Sequence, residues 1–433
     1  MKARTYFMFG ILVLILMTNA FLQTSVEEPV LDSDHLHEEK NNFHGSALTD
    51  SPPIIIASDS DFTTYGISGD GSQEHPYLIN DLRIDLNEAY PEGPPEDIIM
   101  SGIYIQNIDS YVTIENCIIH GRYDEPFGLG IYLESIQNTR IFNCTFINLY
   151  KGVMLGEASG TEILESTFIE IKGVGVDVQS HSDSVTIEGN SMSSLSTAIS
   201  LIRSNRTFIH ENEITESTTG IDVSYNSTAS LISNNTIYEN SQYGIGLADA
   251  LNTTIINNNC SYNTMGGILV SNYAFGCVIS LNSLLYNGIP INWSTFVLSQ
   301  DQPGCGIRIY GASTGNTVEW NDFTGNGINT RNDVDGNTYD YNYYSDYAGV
   351  DGNGDMIGDS PYDIGGDSPT QDIHPRMFLF SEVEYQTTTP HTNSTTGTTT
   401  PGQEPSFDYP SVGIVSGALI VGVLSVIVIT KRR

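Results

Sequence analysis

Residues 220–247 read GIDVSYNSTASLISNNTIYENSQYGIGL, which is one full copy of a repeat followed by the start of the next copy. The copy opens with Gly220, which is followed by two apolar residues, Ile221 and Val223, with one residue between them. Apolar residues at every second position are typical of a strand with one buried face. A second segment, ISNNTI, places Asn235 between apolar residues. The stretch therefore predicts short strands joined by turns.

Both segments recur along the chain, mostly at steps of 22 to 24 residues. The first segment begins at Gly102, Gly130, Gly152, Gly175, Ala198, Gly220, Gly244, Gly267 and Gly306. The second places Asn190, Asn212, Asn235, Asn258, Asn282 and Asn321 in equivalent positions, with Cys117, Cys144 and Ser166 in the earliest copies and YDYNYY at 339–344 as a further copy. So short a unit cannot bury its apolar face alone, but stacked units can.

Stacking of these units predicts an all-β fold, a right-handed parallel β-helix, because parallel crossovers are right-handed almost without exception. About ten coils at a strand spacing of about 4.8 Å make a solenoid of about 48 Å. The asparagines should face inward and form a hydrogen-bonded ladder. The glycine that opens each copy is expected either to have a positive φ or to pack tightly against its neighbours.

The sequence on either side of the repeats predicts export and a membrane anchor. Residues 1–20 have the basic start and apolar core of a secretory signal peptide, with an uncleaved anchor as the alternative. The uncharged stretch 411–430 is long enough for a transmembrane helix. The basic tail 431–433 then predicts a single-pass protein of the cell membrane, with its N-terminus outside and its C-terminus in the cytoplasm. The remaining predicted segments are an acidic leader at 21–50, an N-terminal cap with the first strands at 51–101, the repeats at 102–345, a C-terminal cap at 346–380 and a Thr/Pro-rich stalk at 381–410.

The composition excludes some partners and favours others. The formal net charge is −36, with only 16 Lys and Arg residues, so the surface repels phosphate backbones and no nucleic-acid partner is expected. Eight Asn-x-Ser/Thr sequons predict a glycoprotein if the chain is exported. They are at Asn143, Asn205, Asn226, Asn234, Asn252, Asn259, Asn292 and Asn393.

The segment DGNGDMIGD, residues 351–359, predicts a structural calcium site in the C-terminal cap. Oxygen ligands at alternate positions suit Ca²⁺, while an acidic turn without metal is the alternative. Met356 and Tyr362 stand where an EF-hand needs Gly and Glu, so the segment is not an EF-hand. The predicted ligands are the side chains of Asp351, Asn353, Asp355 and Asp359 and the carbonyl of Ile357.

The residue two positions after each opening glycine should point outward and form one column on a flat sheet. Tyr104 and Tyr132 in this column, and Tyr341 and Tyr343 near the cap, are candidates for carbohydrate binding. Asp177 and Asp222 are weak candidates for catalysis, since two coils separate them by about 9.6 Å, at the upper edge of the range for an inverting glycosidase. Solvated surface carboxylates are the alternative. A lyase would need a basic residue, and the column contains no Lys.

The five cysteines leave two pairings open. Cys117 and Cys144 should stack in adjacent coils, and Cys277 and Cys305 flank the one long insertion, so either pair could form a disulfide. Cys260 falls in an apolar column and is expected to be a buried thiol.

The repeats GIYIQNIDSYVTIENCIIHG (102–121) and 220–247 resemble those of NosD-like β-helix proteins, a carbohydrate-binding and sugar-hydrolase repeat class. The resemblance covers roughly 54–377 and includes the closing segment found in archaeal-type, membrane-anchored surface members. It implies the β-helix fold more specifically than any activity. The family name implies copper delivery, but no Met/His/Cys cluster is visible to support it.

Together these features favour non-catalytic carbohydrate binding or adhesion at the cell surface, with a polysaccharide or surface glycan as partner. A polysaccharide-degrading enzyme, either a glycoside hydrolase or a lyase, is one alternative. A structural spacer in the cell envelope is the other.

Overall fold

The computed structural model describes residues 48–91, 100–121, 128–289 and 304–379. Each coil of the chain contributes one strand to each of three sheets, so that neighbouring strands in a sheet come from successive coils. The pairing between coils is parallel throughout, which makes the molecule a parallel β-helix. The predicted all-β solenoid is therefore confirmed.

In the described residues the three sheets have twelve, eleven and thirteen strands, and we call them sheets A, B and C. Sheet A consists of Thr49–Asp50, Leu82–Asp85, Ile118–His120, Thr145–Ile147, Thr167–Ile169, Ser191–Ser193, Glu213–Thr215, Thr236–Tyr238, Asn259–Ser261, Ser283–Leu285, Asp322–Thr324 and Tyr343–Tyr344. Sheet B consists of Ile54–Ile56, Ser101–Ile108, Leu129–Ile136, Lys151–Gly156, Val174–Gln179, Thr197–Ile202, Thr219–Ser224, Tyr243–Ala248, Gly266–Ser271, Cys305–Ile309 and Ile328–Asn332. Sheet C consists of Tyr77–Asn80, Val112–Glu115, Thr139–Phe142, Glu162–Leu164, Thr186–Glu188, Phe208–His210, Leu231–Ser233, Thr254–Ile256, Val278–Ser280, Thr317–Glu319, Thr338–Asp340, Gln371–Asp372 and Tyr362–Asp363.

All nine predicted first segments, eight of which begin with glycine and one with Ala198, are strands of sheet B, and their alternate apolar residues form the core. Ile221 and Val223, for example, are fully buried. Sheet B extends one strand further at each end than the repeat predicted, with Ile54–Ile56 before the first copy and Ile328–Asn332 after the last. These two strands lack the opening glycine, so the repeat is not recognisable there in the sequence.

The predicted asparagine ladder is confirmed. Asn235 illustrates its geometry: its Nδ2 donates to the Oδ1 of Asn258 at 2.9 Å and to the backbone carbonyl of Ile209 at 3.0 Å. Its own Oδ1 accepts from the backbone N–H and the Nδ2 of Asn212. Each amide thus satisfies buried backbone groups of its own coil and of its neighbours. The ladder runs through Asn190, Asn212, Asn235, Asn258, Asn282, Asn321 and Asn342, and ends on Asp372.

A second ladder, which the sequence did not predict, follows the turn between sheets A and B. Asn240, Asn263 and Asn287 are joined by Nδ2-to-Oδ1 hydrogen bonds of 2.9 and 3.1 Å. Earlier coils place Ile171 and Leu195 at the equivalent position, so this column has mixed composition and gives no clear periodic signal.

Short elements cover the two ends of the solenoid. Helix α1, Asp59–Thr64, and helix α2, Leu86–Ala89, lie in the first coils and bury Phe62 and Leu86. At the other end, Tyr362–Asp363 pairs antiparallel with Gln371–Asp372, which interrupts the parallel pattern and closes sheet C. Antiparallel closure of an edge removes a template on which another strand could pair.

Several predicted segments lie outside the described residues: the signal peptide, almost all of the acidic leader, the stalk, the transmembrane segment and the cytoplasmic tail. Within the part of the chain that the structure describes, no helix has the length and apolar character needed to cross a membrane.

Candidate functional site

One outward column of sheet B runs in register through every coil, and we call the surface around it the sheet B face. The column consists of Ile55, Tyr104, Tyr132, Met154, Asp177, Ser200, Asp222, Gly246, Leu269, Arg308 and Arg331. The nine positions predicted to point outward are all in this column. Because the residues between them fill the core, the column must project from the opposite side of the sheet.

The first part of the sheet B face is aromatic. The rings of Tyr104 and Tyr132 are stacked with centroids 4.9 Å apart and planes 4° from parallel. The Tyr104 hydroxyl oxygen lies 2.5 Å from a Glu134 carboxylate oxygen, to which it donates, and 2.9 Å from the Gln106 side-chain oxygen. Burial and then Glu134 raise the pKa of both phenols, that of Tyr132 to about 12, so both are neutral at physiological pH. Since the facing sides of the rings cover each other, this pair offers ring edges and hydroxyl groups to a ligand.

The centre of the face contains an ion pair that the sequence did not predict. Lys151 Nζ lies 2.5 Å from Asp177 Oδ2, and Gln179 Nε2 donates to the same oxygen at 2.6 Å. Asp177 is only 1% exposed, although its position in the strand points outward. Its Oδ1 is buried and has no hydrogen-bond partner among the described residues. This oxygen is therefore an acceptor that the described protein groups do not satisfy.

Asp222 has a different environment from Asp177. Ser200 separates the two residues in the column, so they are two strand spacings, or about 9.6 Å, apart. Burial raises the pKa of Asp222, and among the described ion pairs none includes it. Asp177 thus has a cationic partner within hydrogen-bond distance, whereas the surroundings of Asp222 favour its neutral form.

The last part of the face is basic. Arg308 and Arg331 are neighbours in the column, and both contact Asp333, at 3.1 and 2.8 Å. The Arg308 guanidinium also lies 4.9 Å from the ring centroid of Tyr310. Arg331 belongs to Ile328–Asn332, a strand without an opening glycine, and Asp333 directly follows that strand, so neither residue is marked by the repeat in the sequence.

The four tyrosines predicted to bind carbohydrate do not form one cluster: Tyr104 and Tyr132 are stacked on the sheet B face, and the other two lie elsewhere. Tyr341 is in the turn after a sheet C strand, stacked between Trp320 and His374 with centroids 4.6 and 4.9 Å away. Tyr343 begins the last strand of sheet A and pairs with Asp322. Neither is on the sheet B face, so the structure does not bring them together with Tyr104 and Tyr132.

The predicted calcium segment is folded around its own carboxylates. Asp351 accepts from the backbone N–H groups of Gly354 and Met356 at 2.7 and 2.8 Å. The Ile357 N–H donates to Asp355 at 2.9 Å. Asn353 accepts from the Asp355 N–H and Asp359 from the Gly352 N–H. Among the described residues, no group of three or more His, Cys, Asp or Glu side chains is arranged to hold a metal ion. Calcium binding here remains a prediction.

A family model described as the right-handed β-helix region matches residues 39–194 and 178–346. The chain belongs to the right-handed β-helix family. This match agrees with the handedness predicted from the repeat. No curated protein matches the sequence.

Solved β-helix structures resemble the chain at low identity. An alginate lyase from Paenibacillus sp. is 14% identical, with a TM-score of 0.44, and the alignment covers 66% of this chain and 97% of the lyase. A DFA-IIIase from Arthrobacter chlorophenolicus is 12% identical, with a TM-score of 0.40 and coverages of 61% and 73%. The tailspike protein of the E. coli bacteriophage HK620, solved with a pentasaccharide, is 12% identical, with a TM-score of 0.44. The alignment covers 70% of this chain and 58% of the tailspike protein. Likeness at this level does not carry the activities of these proteins to this β-helix.

The five cysteines are all buried and none forms a disulfide, so neither of the two disulfides considered from the sequence is present. Cys277 directly precedes a sheet C strand and Cys305 begins a sheet B strand, which separates them around the coil. Cys260 lies between Ile237 and Leu284, as predicted. Burial raises the pKa of Cys260 to about 12 and those of Cys277 and Cys305 to about 11, so these thiols are protonated at neutral pH and are poor nucleophiles.

Proposed function

We propose that this β-helix is an exported, membrane-anchored surface protein that binds a linear polysaccharide along the sheet B face without cleaving it. The observation that carries the proposal is the in-register column from Ile55 to Arg331. Such a column repeats its binding groups every 4.8 Å or so along one straight line. A ligand that is itself a linear repeat, such as a polysaccharide, can contact several coils at once and add their contributions.

The chemistry of the face supports a polar, hydroxyl-rich ligand. Tyr104, Glu134 and Gln106 offer donors and acceptors at one end, and Arg308 and Arg331 offer donors at the other. Rings and guanidinium groups with both apolar area and hydrogen-bonding edges suit sugars, which have both kinds of surface.

A second candidate function, hydrolysis of a glycosidic bond, is favoured by the positions of Asp177 and Asp222. The two residues are about 9.6 Å apart by the strand spacing, at the upper edge of the range for an inverting glycosidase, and burial raises the pKa of Asp222 as a general acid requires. The burial of Asp177 argues against it, because one oxygen is already bound to Lys151 and Gln179 and the side chain is almost inaccessible. Lys151 is likewise engaged, which weakens a lyase mechanism. The third candidate is an envelope spacer with no ligand.

The deciding experiment is retention of the full chain, solubilised in detergent, on a panel of neutral and acidic polysaccharides, with the chain length of each glycan measured afterwards. We expect retention without shortening. Gly246→Trp should abolish retention, since a side chain there projects from the face beside Asp222. The matched variant Ser191→Trp, at an exposed position of sheet A outside any sequon, should retain binding.

Other results of the same experiment would favour the alternatives. Shortening of a glycan that is lost in Asp222→Asn would favour the hydrolase. Retention on no glycan, with the protein folded, would favour the spacer.

A further inference from the structure

The turns between sheets B and C carry a row of exposed aromatic side chains. Tyr225, Tyr273 and Phe275 are 59%, 70% and 53% exposed. Phe275 is bridged to Leu251 in the preceding coil and lies across Gly315 in the next coil, where an added Cβ would be 2.7 Å from the ring. We call this surface the BC corner. Several large apolar groups that share one edge of a soluble protein generally mark a surface that something covers.

Two N-glycosylation sequons are at the same corner. Asn226 directly follows Tyr225, and the Asn252 N–H donates to the carbonyl of Phe275 at 2.9 Å. Both asparagines are exposed, with φ of 62° and 51°. The Asn252 side chain lies over Gly276, where an added Cβ would be 2.5 Å from the Asn252 Oδ1. Gly276 directly follows Phe275, so a glycan on Asn252 would begin beside the Phe275 ring.

Two other sequons in the described residues have less accessible asparagines. The Nδ2 of Asn205 donates to Asp183 at 3.0 Å, and its Oδ1 accepts from Thr228. Asn259 is half-buried within a sheet A strand, and its Oδ1 is fully buried. Asn143 and Asn234 are exposed, but they lie in turns between sheets C and A and not at the BC corner. Exposure together with neighbouring aromatic rings therefore distinguishes Asn226 and Asn252, which the sequence motif cannot do.

We propose that Asn226 and Asn252 carry N-linked glycans whose first sugars pack on the aromatic rings of the BC corner. The reaction transfers an oligosaccharide from a lipid-linked phosphate or pyrophosphate carrier. The bond from the sugar C1 to the carrier phosphate breaks, a new bond forms from C1 to Nδ2, and the Nδ2 proton leaves as the phosphate departs. The inference rests on the export part of the proposed function.

Two consequences follow from this placement. The apolar rings pack against the apolar sides of sugar rings, and their exposure to water falls. The glycans also lie beside the sheet B face rather than on it, since no sequon falls in the column from Ile55 to Arg331. The ligand surface thus stays open.

The first test is glycopeptide mass spectrometry on the full chain purified from the cells that make it. We expect glycan mass on the peptides that contain Asn226 and Asn252, and none on those with Asn205 and Asn259. Surface labelling of intact cells measures export separately. An exported chain that is unmodified at Asn226 and Asn252 overturns the inference and leaves the proposed function intact, whereas a chain that is not labelled at the surface overturns both.

The second test measures the packing of the sugars on the rings. Asn252→Gln should increase binding of a fluorescent apolar dye, and Phe275→Ser in the same chain should remove the increase. Asn257→Gln is the matched control, because Asn257 is also exposed with a positive φ but begins no sequon. Unchanged dye binding in Asn252→Gln would show that no sugar covers the ring. A dimer that dissociates in Phe275→Ser would assign the corner to a second copy instead and would also overturn the proposal.

Discussion

At the scale of single residues, buried amides explain why this repeat tolerates polar side chains in its core. An asparagine that faces inward can donate twice and accept twice, and the ladder uses this full capacity. The sequence predicted the ladder because one residue type recurred at one spacing. It could not predict the Lys151–Asp177 pair, since the position of Lys151 is apolar in the adjacent coils, as Leu129 and Val174.

Substitution of one amide in the ladder should be costly. Asn235→Leu removes the acceptor of the Asn212 backbone N–H and one donor each from the Asn258 Oδ1 and the Ile209 carbonyl. A buried group left unpaired costs about 1–3 kcal/mol, so we expect the free energy of unfolding to fall by about that amount. Urea unfolding measures the change.

The control is Asn257→Leu, at an exposed turn position that a later coil fills with Leu281. We expect it to be nearly neutral. Equal losses in the two variants would contradict the account of the ladder.

The buried carboxyl group of Asp222 should make the stability of the protein depend on pH. Because burial raises the pKa of Asp222 in the folded state, its contribution to stability is present below the unfolded pKa and is lost as pH rises through the folded pKa. Asp222→Asn should therefore be at least as stable as the wild type at pH 7, and any advantage should disappear toward pH 4.

Thermal melts over this pH range test the expectation. Asp177→Asn should instead lose stability at pH 7, since it leaves Lys151 without its partner in a nearly buried site. An Asp222→Asn variant that is clearly less stable than the wild type at neutral pH would be inconsistent with the burial of that carboxyl group.

At the scale of the element, the glycine at the second position of most sheet B strands acts through close packing. At Gly152 an added Cβ would lie 2.5 Å from the Phe168 ring and 2.6 Å from the Gly175 carbonyl. Of the two reasons considered from the sequence, tight packing is correct for this position, and its φ is not positive. Where the glycine is absent, as in Ile54–Ile56, the strand still forms but the repeat is not recognisable in the sequence.

Gly152→Ala should lower the free energy of unfolding by about 1–3 kcal/mol, because the core must shift to accept the methyl group. Ala198→Gly, at the equivalent position of a later coil, should cost only about 0.5–1 kcal/mol through greater flexibility of the unfolded chain. Differential scanning calorimetry of both variants measures the difference. If Gly152→Ala melted at the wild-type temperature, close packing would not be the reason for a glycine at this position.

At the scale of the whole molecule, the repeat predicted the solenoid, whereas the closure of its end depends on residues without periodicity. Arg376 is fully buried there; it contacts Asp322 at 2.7 Å and donates to the carbonyls of Tyr341 and Asn321. No repeat or motif marks this arginine in the sequence. Its partners are as many as 55 residues away along the chain, and only the folded end brings them together.

The cap also provides the test of the calcium prediction. Removal of calcium by a chelator should lower the melting temperature of the full chain, because the ion would hold the segment 351–359 against the end of the solenoid. Re-added Ca²⁺ should restore it, and Asp351→Ala should abolish the response. A melt that is the same with chelator and with Ca²⁺ would rule out a structural calcium site.

The carboxylate of Asp372 has a further consequence for the behaviour of the protein in solution. Every amide in the ladder passes its N–H toward the C-terminal end, and Asp372 receives the last of them from Asn342 at 3.0 Å. A carboxylate has no N–H and cannot donate a hydrogen bond to a further coil. An asparagine rung stacked on this end would meet an acceptor where its own Oδ1 needs a donor. The closed ladder therefore opposes the addition of further asparagine coils, the mode of growth that turns stacked layers into filaments.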